Sequence, residues 1–160
     1  MQRAAVYKAT IAGGLIAATI DIGSAVLISG HSAARILQTI AGGLLARASF
    51  EGGLRTVFLG LLLQELMGLI IAAIYVGAAL SWPALRRRWI GWGVAYGVMI
   101  FLVMNYVIVP LSAWHVVPHF SRASFCFNLL AMLLFGLIVA YCAARFAGGG
   151  RGEPALLRAS

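Results

Sequence analysis

The stretch Thr56-VFLGLLLQELMGLIIAAIYVGAA-Leu80 decides the fold: 25 consecutive residues carry one charge, Glu65, and one amide, Gln64. As a helix it measures about 37 Å, enough to cross the roughly 30 Å hydrocarbon of a bilayer. It stops at Ser81-Trp82-Pro83, where proline breaks a helix and tryptophan suits the depth of lipid headgroups. Three further runs behave alike, over about 9–29, 90–109 and 124–146. The sequence therefore specifies an all-α membrane protein of four transmembrane helices.

Composition agrees, since 62% of the residues are hydrophobic and 10% charged, with a mean hydropathy of +0.99, whereas soluble domains carry about a quarter charged residues. The net charge of +8 does not point to nucleic acid, because no basic stripe with interleaved aromatics occupies a soluble segment. It flanks the spans, where it sets orientation and meets anionic headgroups. Expected partners are membrane lipids, with another membrane protein or a second copy left open, and no nucleic acid. Cys126 and Cys142, sixteen residues apart on one predicted helix, lie about 24 Å apart and beyond disulfide reach. The basic start and the apolar run 9–29 read as an uncleaved first span, being long for a signal peptide and interrupted by Asp21.

Between the first two spans, after Gly30-His31-Ser32, the pattern changes. Over 32–50, Ile36, Leu37, Ile40, Leu44, Leu45 and Ala48 repeat at helical spacing, with Arg35, Gln38, Thr39, Gly42 and Ser49 opposite them. This predicts one amphipathic helix in the interface, with a shallow re-entrant segment as the alternative. The four-span domain covers 1–147, and 148–160 forms a flexible tail opened by three glycines. Of the Lys and Arg residues, eight (Arg3, Lys8, Arg86, Arg87, Arg88, Arg145, Arg151, Arg158) fall on one side of the four spans and four (Arg35, Arg47, Arg55, Arg122) on the other. The positive-inside rule then predicts cytoplasmic termini.

Polar residues inside spans are the candidates for function, because an ionised side chain at mid-helix costs about 2.5–3.5 kcal/mol on insertion scales and turns toward protein or water. Asp21 shares a ridge with Gly13, Ala17 and Ala25, and Glu65 shares a face with Gly68 and Ala72. Asn105 follows Gly93, Gly97 and Phe101; Asn128 leads Met132, Gly136 and Ala140. Small residues let helices approach closely, so the four polar groups are expected to converge, with Gln64, Arg35 and Tyr106 as secondary members. Counting inward from Ser29 and from Thr56 puts Asp21 and Glu65 at a matching depth of roughly 12–14 Å. Two carboxyls sharing such a site would share a proton, with Arg35 as the competing partner. The bland alternative is that the asparagines simply tie helices together and the carboxyls are neutral structural groups.

No sequence motif supports enzyme chemistry, a cofactor or a metal: there is no G-x-S-x-G, H-E-x-x-H or C-x-x-C, and Pro118 disrupts the helical spacing of His115 and His119. Trp82, Trp89, Trp92 and Trp114 sit near span ends as a headgroup belt.

Arg35-Ile-Leu-Gln38 and Met104-Asn-Tyr-Val-Ile-Val-Pro-Leu-Ser112 resemble segments of a family of uncharacterised four-span bacterial inner-membrane proteins. The resemblance covers most of the chain and implies that topology and location, with no activity to transfer. Members of that family often carry a histidine near the position of Glu65, where this chain has a carboxylate. Two functions are expected on these grounds: a small-solute or proton-responsive transport protein with a polar intramembrane site, or a non-catalytic accessory subunit that binds a partner through small-residue faces.

Overall fold

In a computed structural model, residues 2–115 and 121–146 are described, and all their regular elements are helical. Four helical runs are long and apolar enough to cross a membrane. They are α1 (Gln2–Ser29), α3 (Gly53–Ser81), the run Trp89–Leu111, and α7 (Arg122–Phe146). The third run is composite: α5 (Trp89–Val103), a π-helical turn (Met104–Ile108) and α6 (Val109–Leu111). Two short helices join the spans, α2 (Ala33–Leu45) before α3 and α4 (Pro83–Arg87) after it. This is an all-α membrane protein, because in lipid each backbone polar group must be satisfied within the chain and a helix does so locally.

The observed spans extend the predicted ones by a few residues. The first gains the most, starting at Gln2 against an expected 9, but the informative difference is at Pro110, which was expected to close the third span at 109. Proline has no N–H to donate and clashes with the preceding turn, but the chain widens instead of stopping. The Val109 amide donates to Met104 O five residues back, and the helix continues to Leu111. The tail 148–160 and the stretch with Pro118 and His119 lie outside the described residues.

α1 packs on both α3 and α7, and α7 packs in turn on α5. Glycine makes each of these contacts close. A Cβ added at Gly14 would stand 2.9 Å from Leu69 Cα, and one at Gly68 would stand 2.9 Å from Gly14 O. Gly13 faces Val139 and Cys142, and a Cβ at Gly97 would stand 2.6 Å from Met132 O. Lipid tails are as apolar as leucine, so such backbone proximity supplies most of the packing energy between helices. Outside these seams the large apolar side chains face outward, as Ile16, Phe58, Ile74 and Leu130 do.

α3 and α5 meet near the α4 end of the bundle, where the Tyr96 hydroxyl donates to Ile71 O at 2.7 Å and the Tyr75 and Tyr96 rings lie 4.9 Å apart. The Tyr75 hydroxyl donates to Leu85 O of α4 at 3.2 Å, anchoring that connection. Toward the opposite end the two spans diverge, and α2 crosses the gap. Ser32 caps α2 by accepting from the Arg35 amide at 3.3 Å, after Gly30 has reversed the chain with φ +67°.

The single helix expected over 32–50 is two pieces. α2 ends at Leu45, Ala46 takes φ 50° and ψ −135°, and a 3-10 turn covers Ala46–Phe50. The faces shift accordingly. Leu37, Ala41 and Gly42 are buried, Ser49 is fully buried with its hydroxyl on Ala46 O, and Leu44 is exposed. The periodicity had placed Gly42 and Ser49 on the polar side, because it could not foresee the bend at Ala46 or the docking of Leu37 against Gly60.

Two outcomes follow from this packing. Gly97→Val should destabilise the bundle by about 2 kcal/mol, as overpacking does where only backbone is available to move, measured by unfolding in mixed micelles. Gly60→Ala should leave the bundle folded but release α2, because the added methyl meets the Leu37 carbonyl; faster proteolysis confined to 30–52 is the readout.

Candidate functional site

Two features adjoin each other in the α2-end half of the bundle: a polar contact between α1 and α3, and a cavity beside it. The polar contact follows from the close approach at Gly14 and Gly68, which sets α1 and α3 near enough for side chains one and two turns further along to touch. The Gln64 Nε2 group donates to Asp21 Oδ2 at 3.0 Å and to the Ala18 carbonyl at 3.4 Å. Asp21 therefore meets the residue before Glu65. The Glu65 carboxyl pairs with the Thr19 side chain of α1, and its Oε2 is buried with no hydrogen-bond partner.

The other candidates separate from this contact. Asn105 is buried, but its Nδ2 donates to Phe101 O of its own helix at 2.8 Å. The Asn128 Oδ1 is buried with no partner. Arg35 lies on α2 with its guanidinium carbon 3.8 Å above the Phe50 ring, a cation–π contact at the bundle end. Tyr106 is 52% exposed on the perimeter. Among the described residues no group of three or more His, Cys, Asp or Glu side chains could hold a metal ion.

The cavity occupies the gap where α3 and the third span diverge beneath α2, with a volume of about 750 Å³. Its walls are Leu63, Met67 and Ile70 of α3 and Met104, Ile108 and Val109 of the third span. Thr39, Ile40, Gly43 and Leu44 of α2 form the roof. The rim residues Leu44, Leu66, Ile70 and Leu111 are 62, 50, 47 and 76% exposed, so the mouth opens on the apolar perimeter of the bundle. Gln64 is part of the wall and connects the cavity to Asp21.

The roof is hydrogen-bonded in place. Ala113 N donates to Gly43 O at 2.8 Å and Trp114 Nε1 donates to Thr39 O at 3.1 Å. The Trp114 ring lies against Gly42, where a side chain would collide with it. Trp114, read from sequence as one of a headgroup belt, is thus a clamp between α2 and the end of the third span. Periodicity gave no sign of this partnership. The adjacent glycines Gly42 and Gly43 in an otherwise bulky helix were the available clue.

Comparison with protein-family models, with curated proteins and with solved structures found no match to this chain.

The Asp21–Gln64 contact predicts an asymmetry. Gln64→Leu leaves an acidic oxygen without its donor in an apolar seam and should cost about 1–3 kcal/mol. The double substitution Asp21→Leu with Gln64→Leu removes both partners and should recover most of that loss, measured by the same micellar unfolding. Additive losses would show that the two side chains are not coupled.

Proposed function

We propose that this membrane protein binds a lipophilic small molecule that enters laterally from the bilayer into the cavity between α3 and the third span, as a carrier or receptor of small solutes. The observation that carries this reading is a cavity of about 750 Å³ whose mouth lies on the apolar perimeter and whose described lining is apolar apart from Thr39, Gln64, Ser112 and Trp114. The volume lies within the range of about 300–1,000 Å³ usual for small-molecule sites, and few polar groups in an apolar lining is their usual composition. A hydrated ion would find too few ligands there, whereas an alkyl chain leaving the bilayer exchanges one apolar surface for another.

Asp21 supplies the proton-responsive element of the proposal. Protonation replaces a charge-assisted hydrogen bond to Gln64 with a weaker neutral one, so the wall of the cavity is linked to the protonation state of a carboxyl it does not contain. The accessory-subunit reading has less geometry to draw on, because the faces at Gly13, Gly14, Gly68, Gly93, Gly97 and Gly136 are occupied by contacts within the chain. The location proposed is a bacterial inner membrane, with both termini cytoplasmic and α2 on the outer face, on the strength of the eight-to-four distribution of basic residues.

A diazirine-bearing hexadecanol in lipid nanodiscs tests the site. It should label peptides holding Met67 and Met104, and Met67→Trp, which fills the cavity, should abolish that labelling. Labelling spread evenly around the perimeter and unchanged by Met67→Trp would overturn the reading. For orientation, Glu51→Cys in a background with Cys126→Ser and Cys142→Ala should react with an impermeant thiol reagent from outside intact cells; reaction only after lysis reverses the topology.

A further inference from the structure

We infer that the cavity selects an amphiphile whose head donates hydrogen bonds and carries no negative charge, a long-chain alcohol or amine in preference to a fatty acid or a phosphate ester. This deepens the proposed function and rests on it. It comes from the protons on the polar side chains that line the cavity, four among the described residues: Thr39, Gln64, Ser112 and Trp114.

Each of the four already donates to the protein. A glutamine amide has two N–H donors and one acceptor oxygen; the Gln64 Nε2 group faces α1, within hydrogen-bond distance of both Asp21 Oδ2 and Ala18 O. The Ala18 carbonyl, which can only accept, fixes that orientation together with Asp21 Oδ2. Oε1 is left as the group able to receive a ligand. The Thr39 hydroxyl donates to Arg35 O at 2.9 Å, and the Ser112 hydroxyl donates to Val109 O at 2.7 Å. A hydroxyl has one proton and two lone pairs, so both are left as acceptors, Ser112 with one lone pair already taken by the Trp114 amide at 3.3 Å. Trp114 has a single donor and no acceptor, and it is engaged with Thr39 O.

Among the described residues, the four polar side chains of the lining thus offer hydrogen-bond acceptors, with their donor groups turned to the protein. The backbone reinforces the bias. α2 ends at Leu45 and the third span ends at Leu111, each one residue beyond or at a lining position, so the negative ends of two helix dipoles converge on the roof side. Helix C-termini favour cations and oppose anions. Arg35, one turn before Thr39 on α2, is held over Phe50. An alcohol or ammonium head can satisfy these acceptors, whereas a carboxylate or phosphate brings more lone pairs to a site already full of them and leaves its own desolvated charge unmatched.

The test compares three probes of equal chain length, diazirine-bearing hexadecanol, hexadecylamine and hexadecanoic acid, competed against one another on the full chain in zwitterionic nanodiscs at a pH where the acid is ionised. The alcohol and the amine should each bind at least about tenfold better than the acid, the scale expected when one head leaves hydrogen bonds unmade. Asp21→Asn, which frees the Gln64 amide to turn its N–H inward, should narrow that preference several-fold. Thr39→Val, which keeps the shape but removes an acceptor, should weaken alcohol binding and leave acid binding unchanged. Equal or better binding of the acid, with labelling still blocked by Met67→Trp, overturns the inference and leaves the cavity reading standing. If no probe labels the cavity, the cavity reading fails and the inference with it.

Discussion

Close backbone approach between helices is the constraint on which the rest of this structure depends. In lipid no hydrophobic force separates one apolar surface from another, so association relies on packing and on the few hydrogen bonds that cross between helices. Gly14 on Gly68 and Gly97 on Met132 bring whole turns of backbone into contact. The first of these contacts sets where Gln64 falls relative to Asp21, and the second holds the third span against α7 along its α5 portion. The cavity lies where such contacts lapse, between α3 and the third span beyond the Tyr75–Tyr96 pair. It is the space left when two helices are held at one end by tyrosines and at the other only by a short crossing helix.

Much of this was legible in the residues. The number of spans followed from length and apolarity alone, since nothing but a lipid solvent accounts for 25 residues such as Thr56–Leu80. The small-residue ridges also identified faces that pack, because a glycine at four-residue spacing in a transmembrane helix has few other uses. Helical periodicity locates a residue on its own helix to within one face, however, and says nothing of the rotation of the neighbouring helix. Hence Glu65 was expected opposite Asp21, whereas Gln64, one residue and about 100° around the helix, occupies that place.

The cavity and its roof were not legible, for a related reason. They arise from three long-range contacts: Leu37 against Gly60, Gly43 with Ala113, and Thr39 with Trp114. Each involves a backbone group or a glycine, which carry almost no pattern. A tryptophan near a span end is read by default as an interfacial anchor, and only its partner on α2 distinguishes the clamp from the anchor. Likewise a hydroxyl on an amphipathic helix is ordinarily solvated, and nothing in its spacing says that its proton is already engaged by a carbonyl one turn back.

The wide turn at Met104–Ile108 has a consequence for how the third span is phased. A π turn holds one residue more than an α turn, so everything beyond it is rotated by about 100° relative to a continuous helix. Before the turn, the line Gly93, Gly97, Phe101 faces α7; after it, Val109 and Leu111 line the cavity and the helix end delivers Ser112 and Trp114 to α2. One span thereby serves two neighbours lying in different directions, with the change of heading concentrated in five residues just before Pro110. Removing a single residue from that turn would restore ordinary helical pitch and keep the bundle seam intact. It would also swing the serine and tryptophan out of phase with the crossing helix, separating the integrity of the scaffold from that of its roof.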